Sequence, residues 1–300
     1  MRAVSPKVSR IARVAAFMAL SAIVVASLRH VDWPRTAAAL REGRPAWLLA
    51  AIVANSLILT CWAAYWRAIR PRDESPVSYT RMLEISAVSS SLMNTLPFGG
   101  GHASSVLLLI RRAATTQRGA LSTLALDQLG EGITKVGVLL AAGLTVSLPT
   151  WMRAALTTVS LIVGAWFVAL VAASRWAREL EILRSARRST TALACVIAMK
   201  GVELVAIACV QWAYGVDVSA GGTLLVLATV ILATMLPIAP GNLGAYEGSV
   251  FLTYRYLGLS PEVALSLAIV QHVCFMIPAV GIGYLFISAR ALSRSAIASR

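Results

Sequence analysis

The sequence predicts an all-α polytopic membrane protein, with about six full transmembrane helices and two broken, re-entrant helical hairpins that read as an inverted repeat. Three observations predict it. Apolar residues make up 58% of the 300-residue chain and charged residues 13%, with a mean hydropathy of +0.75, whereas a soluble domain is about 25% charged. Apolar runs recur at lengths near the roughly 20 residues that a helix needs to cross hydrocarbon. Two of these runs are interrupted by proline and glycine, in LPFGGGH from Leu96 to His102 and in LPIAPGNLGAYEG from Leu236 to Gly248.

The first expected span, roughly 12–28, has an apolar stretch from Val14 to Leu28 that follows Arg2, Lys7, Arg10 and Arg13. Its form is that of a signal peptide, but no A-x-A cleavage site follows and Arg29 comes at once, so it reads as an uncleaved span. Further full spans are expected at 46–66, 119–148, 151–173, 191–214 and 261–289. Regions 80–112 and 221–258 each hold two shorter apolar pieces around a break. The pieces around LPFGGGH are about 18–24 Å long as helices, short of the roughly 30 Å hydrocarbon core, and suit a re-entrant hairpin. Those around LPIAPGNLGAYEG are slightly longer and fit either a hairpin or two crossings.

Residues 1–300 read as a single membrane domain, with 80–148 and 221–289 as its two repeat units. Leu96-Pro97 matches Leu236-Pro237, Ser105-Val106 matches Ser249-Val250, and Ala120-Leu121-Ser122 matches Ala264-Leu265-Ser266. The last two pairs share one offset of 144 (249 − 105 and 264 − 120). Inverted repeats with broken helices at their interface are a recurrent transporter design.

The net charge of +14 sits mostly on arginines between apolar runs. That pattern is the positive-inside bias together with attraction to anionic lipid headgroups, and no compact basic domain exists to hold a nucleic acid. A basic N-terminal tail places both termini in the cytoplasm, together with segments 67–81, 111–118 and 174–190. Loop 29–45 carries four arginines yet falls outside; its stretch TAAALREG would be an interfacial helix. Cys61, Cys195, Cys209 and Cys274 all lie within apolar runs and read as small buried hydrophobes.

Polar residues inside these runs are the candidate site. Pro97, Pro237 and Pro240 remove N–H donors, and Gly101, Gly241, Gly244 and Gly248 permit turns and close backbone approach. Unwound backbone at membrane depth must be buried in protein or face water. A helix starting near Asn242 or Leu243 would aim its N-terminal amides at the break, an arrangement that favours anions. A proline-kinked span between packed helices is the plainer reading.

Asp127, Glu131 and Lys135, four apart, share one helix face with Gln128 beside them. Ionisable groups in a span normally face the bundle interior or a watery path, although an internal salt bridge that fixes packing would use the same residues. Lys200 and Glu203 form a second pair. Asn94 and His102 border the first break, and Asn242 and Glu247 the second. Glu247 would serve the substrate or clamp a neighbouring Lys or Arg. His272, mid-span beside Gln271, is a proton relay or a packed residue.

The motifs of hydrolases, zinc proteases, phosphate-binding loops and EF-hands are missing, so the reading is non-enzymatic, with no cofactor and no metal.

The stretch carrying Leu236, Pro237, Pro240, Gly241, Gly244, Glu247 and Gly248 resembles the second signature of the lysylphosphatidylglycerol synthase transmembrane-region family, the flippase-like domains. Asn94, Leu96, Pro97 and Gly101 match its first signature. His102 stands where a Glu is usual and Ser105 where an Arg is usual, and Asp127 to Glu131 replaces a Glu-Arg-x-x-Asp-like pattern, as in a divergent branch. The resemblance implies an integral inner-membrane protein of bacterial or archaeal type, without the cytosolic aminoacyltransferase domain of larger relatives. It implies a flippase-like protein that moves a phospholipid or glycolipid headgroup. Its partners would be membrane lipids, anionic or glycosylated. The alternative is a non-transporting accessory subunit that holds a lipid-modifying enzyme.

Overall fold

The computed structural model describes residues 32–71, 74–96, 100–146, 148, 150–174, 185–235 and 239–298. The expected first span, the break prolines Pro97 and Pro237, and most of the basic loop 174–190 lie outside the described residues. Among the described residues all regular structure is helical.

Local chemistry sets the helix starts. Helix α1 (Trp33–Arg41) is capped by Asp32, whose carboxylate accepts the Arg35 N–H, and α2 (Pro45–Ile69) opens on proline. Ser78, Thr116, Ser219 and Ser260 each turn a hydroxyl onto the first turn of α3 (Tyr79–Thr95), α5 (Gln117–Thr145), α8 (Ala220–Thr234) and α10 (Pro261–Met276). Such caps satisfy amides that a helix start otherwise leaves without partners. Helices α4 (Gly100–Arg112), α6 (Thr150–Ser174), α7 (Ala186–Ala213), α9 (Ala245–Tyr256) and α11 (Ile282–Ala298) complete the helices of the described residues. A π turn at Ile277–Gly281 joins α10 to α11 around Pro278, which has no N–H to give.

The expected spans 46–66, 119–148, 151–173, 191–214 and 261–289 coincide with α2, α5, α6, α7 and α10–α11. Among the described residues, three continuous stretches are both long and apolar enough to cross a membrane: Pro45–Ile69, Ala186–Ala213 and Pro261–Leu292. At 1.5 Å per residue, 25 residues of α2 reach about 37 Å, beyond the roughly 30 Å of hydrocarbon. Leu144, Leu161 and Leu285 turn outward and are 86%, 66% and 71% exposed. An apolar periphery of this kind requires a lipid-like surrounding. The segment TAAALREG falls largely on α1, which packs on α10 through the Thr36 carbonyl, an acceptor for Ser266 Oγ at 3.3 Å.

Helices α2 and α7 form an antiparallel central pair. The Arg44 N–H at the start of α2 donates to the Ala213 carbonyl at the end of α7 (2.9 Å). At the opposite end Arg188 Nε donates to the Ala68 carbonyl (2.9 Å), and its Nη2 to that of Arg70. Each member of the pair is followed by a hairpin. In the first, α3 and α4 fold back on each other: Arg81 Nη1 reaches the Arg112 carbonyl at 3.4 Å at the open end. Near the turn, a Cβ on Gly101 would lie 2.3 Å from Met93 Cα. In the second, α8 and α9 are held by Thr229 and Thr253, whose hydroxyls are 2.7 Å apart.

The first hairpin opens at the α2 C-terminus, where Arg70 Nη2 donates to the Ala113 carbonyl (3.0 Å). The second opens at the α7 C-terminus, where Gln211 bonds both Thr223 and Tyr254. Because α2 and α7 run antiparallel, the hairpins enter from opposite ends of the molecule. Their turns meet: a Cβ on Gly241 would lie 3.4 Å from the Asn94 carbonyl. Each hairpin has its own apolar core. One gathers Met82, Ile85 and Leu109 with Trp66 and Met199, and the other gathers Leu225, Leu227, Val250 and Tyr254 with Leu139 and Leu267.

Candidate functional site

The second break is wound by three residues in the left-handed region, Gly241 (φ 60°), Asn242 (φ 55°) and Gly244 (φ 84°). Glycine adopts this region freely, and asparagine is among the few side chains that tolerate it. These turns carry Pro240–Asn242 as a 3₁₀ turn and delay the next helix to Ala245, later than the expected start at Asn242 or Leu243. Glu247 sits in the first turn of α9. Its Oε2 accepts the Gly244 N–H at 2.7 Å, so it caps its own helix.

The other Glu247 oxygen, Oε1, lies 2.8 Å from His272 Nδ1. The sequence had suggested a Lys or Arg as the clamp; the partner is this histidine instead. Ring and carboxylate meet because α9 and α10 pack side by side. His272 is 3% exposed and Glu247 24%. The imidazole stacks on Tyr246 with centroids 4.2 Å apart. A carboxylate only accepts, so the pairing places the ring proton on Nδ1. Nε2 then has no hydrogen-bond partner among the described residues, and neither has Asn242 Oδ1; both atoms are buried.

Behind this pair lies a hydrogen-bonded chain. Thr223 donates to Gln211 Oε1 (2.9 Å), and Gln211 Nε2 donates to Tyr254 Oη (3.1 Å). Tyr254 donates to Gln271 Oε1 (3.2 Å), and Gln271 Nε2 donates to Tyr246 Oη (3.0 Å). Tyr254, Tyr246 and Gln211 escape a search of the sequence for ionisable clusters. Their signal is polar groups at hydrocarbon depth, which must find partners.

The stripe on α5 and the Lys200–Glu203 pair on α7 belong to one network. Lys200 Nζ lies 3.0 Å from Glu203 Oε2 and 3.7 Å from Glu131 Oε2, and Lys135 Nζ lies 3.3 Å from the same Glu131 oxygen. Two cations and two anions thus alternate across two helices. His102, exposed on α4 after the first break, lies within electrostatic reach of Lys135. Glu203, at the other end, lies within reach of Tyr246. Lys135, Glu131, Lys200 and Glu203 form a polar band across α5 and α7.

Asp127 stands apart from this band. Its Oδ1 accepts indole N–H groups from Trp62 and Trp66, both at 2.8 Å, and the residue is 2% exposed. It is enclosed between α2 and α5, with its acceptor capacity used on protein. Asn94 Nδ2 donates to the Ser90 carbonyl at 2.9 Å within its own helix. Gly101 provides the close approach expected of it, and Gly248 is buried in the first turns of α9. Another carboxylate went unnoticed in the sequence. Glu84, 9% exposed at the side chain, accepts from Arg112 Nη1 (2.6 Å) and from Arg290, and so ties both arms of the first hairpin to α11.

Fold and site together define an all-helical polytopic membrane protein with two broken hairpins and a polar band across α5 and α7. Its residues 10–283 match the model of the lysylphosphatidylglycerol synthase TM region, and the chain belongs to that family. It is also 28% identical, over 297 residues, to a UPF0104 membrane protein of Methanothermobacter thermautotrophicus; the match covers 81% of this chain and 86% of that protein.

Proposed function

We propose that the chain is a lipid flippase. It carries a phospholipid or glycolipid headgroup along the polar band while the acyl chains stay in the bilayer. The observation that supports this most directly is that the two hairpin turns meet in a bundle whose apolar helices α5 and α7 carry a network of ionisable side chains. Charges at such depth are costly even when paired, and where they occur they mark paths or sites. In this reading the hairpins are re-entrant, and 80–148 and 221–289 are inverted repeats. The caps Thr116 and Ser260 support the repeat, since they are separated by the same 144 positions (260 − 116) as the matching sequence pairs. Both termini face the cytoplasm, and the chain performs no covalent chemistry.

The test is transbilayer movement of labelled lipids in proteoliposomes of the purified chain. Glu131→Gln and Glu247→Gln should each abolish movement while the protein still folds. Unchanged movement in both variants would remove the proposed path. No movement of any lipid by the unaltered chain would favour an accessory role beside a lipid-modifying enzyme.

A further inference from the structure

Among the described residues, a groove of about 250 Å³ lies between α2, α5 and α7, and no residue of either break lines it. Its walls include Tyr65 and Ile69 on α2, Leu126 and Gly130 on α5, and Ala192 and Val196 on α7. Gly130 leaves room for it: a Cβ there would lie 2.1 Å from Tyr65 Oη and 3.4 Å from Val196 Cγ2. Ile133 and Leu193 also line the groove and are 43% and 50% exposed, so it opens sideways onto the apolar periphery.

The chemistry of the walls decides what fills it. Tyr65 Oη donates to the Leu126 carbonyl (2.8 Å), and Thr134 Oγ1 to those of Gly130 and Glu131 (both 3.1 Å). These hydroxyls are spent within the protein, and the remaining wall is apolar except for Ser189 at the start of α7. A buried water needs 2–4 polar partners, and an apolar cavity of about 150 Å³ in another protein stays dry and takes up benzene. This groove is larger, and what surrounds it in the membrane is hydrocarbon. Lipid tails are as apolar as its walls, so entry brings no hydrophobic gain. It brings dispersion contacts, which the walls of an empty groove forfeit.

We infer that the groove holds one acyl chain of a bilayer phospholipid, at a site separate from the headgroup path. From Leu126 to Thr134 it follows α5 for about 12 Å, enough for a stretch of chain and too little for a whole lipid. Its outer end lies at Ile69 and Ser189, where Arg188 Nε meets the Ala68 carbonyl. The lipid therefore belongs to the leaflet at the α2 C-terminus. Arg67 and Arg187 are exposed at that end and complement a phosphate above the chain. The inner end reaches the charged network: Gly130 precedes Glu131, and Val196 stands one turn before Lys200. A chain in the groove thus walls off the Glu131–Lys200 contact from the bilayer side.

The experiment is photolabelling of the full-length purified chain in phosphatidylcholine vesicles. The probe is a phosphatidylcholine with a diazirine partway along one acyl chain, and adducts are located by peptide mass spectrometry. Leu285, 71% exposed, reports bulk lipid, whereas Tyr65 and Val196, 3% and 2% exposed, report the groove. Adducts are expected at all three. Ala192→Phe fills the groove from its wall, and Ile133→Trp covers it from its rim. Each should lose most of the labelling at Tyr65 and Val196 and keep that at Leu285. Native mass spectrometry should count one more retained phospholipid on the unaltered chain than on Ala192→Phe.

Adducts at Leu285 alone would show that protein closes the groove, and would overturn the inference. So would groove labelling that survives both variants, or an equal lipid count. If neither variant folds, the adducts of the unaltered chain decide alone. Movement of lipid plays no part in these readings. A labelled groove without transport would sink the flippase reading alone, and transport without groove labelling would sink this inference alone.

Discussion

At the scale of the residue, the buried charges divide into those that hold the protein together and those placed to meet a ligand. Asp127 is of the first kind. Two indole N–H groups depend on its Oδ1, and Asp127→Ala would strand both in an apolar interior. The expected loss is about 2–4 kcal/mol, the sum of a charged acceptor removed and donors left unpaired, read as a lower unfolding midpoint by tryptophan fluorescence. Headgroup transport by the fraction that folds should persist. Lys200 gives a sharper contrast. It neutralises both Glu131 and Glu203 and is 14% exposed, whereas Lys135, at 33%, neutralises Glu131 alone. Lys200→Met should therefore cost about 3–5 kcal/mol, as breaking a buried pair does, and Lys135→Met clearly less. Adding Glu203→Gln to Lys200→Met should recover part of the loss, because one orphaned charge is removed. If the single and double variants unfold together, the network is not electrostatically coupled.

At the scale of the element, glycines show where two helices share space. Gly101 packs so closely on α3 that a Cβ would lie 2.3 Å from Met93 Cα, and a Cβ on Gly283 would lie 2.3 Å from the Ala87 carbonyl. In both cases the obstacle is backbone, which cannot rotate aside. Gly101→Ala and Gly283→Ala should each destabilise by about 1–3 kcal/mol or more through overpacking. Gly132 and Gly137 on α5 have open space around a Cβ, and alanine there should gain up to about 1 kcal/mol in helix propensity. Urea or thermal unfolding of the four variants checks the difference in sign. The breaks, the long helices and the α5 stripe were legible in the sequence because proline, glycine and charge stand out against apolar runs. The union of Glu131 with Lys200 was not, since it depends on how α5 and α7 pack. Nor was the role of Glu84, which lies near the start of a helix that reads as polar anyway. The His272–Glu247 pair was half legible: both residues stood out, but only the packing of α9 on α10 names them as partners.

At the scale of the whole molecule, the question is what two hairpins entering from opposite ends do in a bilayer. The two ends of one hairpin surface on the same side whether it turns back at membrane depth or both arms cross, because two crossings return the chain to the side it left. What differs is the turn, which stays at membrane depth in a re-entrant hairpin and surfaces on the far side when both arms cross. The structure places Arg81 beside Arg112, and Ser219 on the same end as Leu257, with Val218 and Leu257 both close around Gly222. These arms are also short: 17 and 13 residues in the first hairpin, 15 and 12 in the second, or about 18–26 Å against roughly 30 Å of hydrocarbon. Single cysteines at Arg81 and Arg111, in a background with Cys61, Cys195, Cys209 and Cys274 replaced, should both react with an impermeant maleimide from the cytoplasmic side. Cysteines at Asp217 and Leu259 should both react from the opposite side. Cysteines at Leu96 and Leu243, which border the two turns, should resist the maleimide from the side opposite the ends of their own hairpin, and labelling of either from that far side would convert its arms to full crossings. The two turns could then no longer meet at mid-depth, and the polar band would lose the geometry that makes it a path.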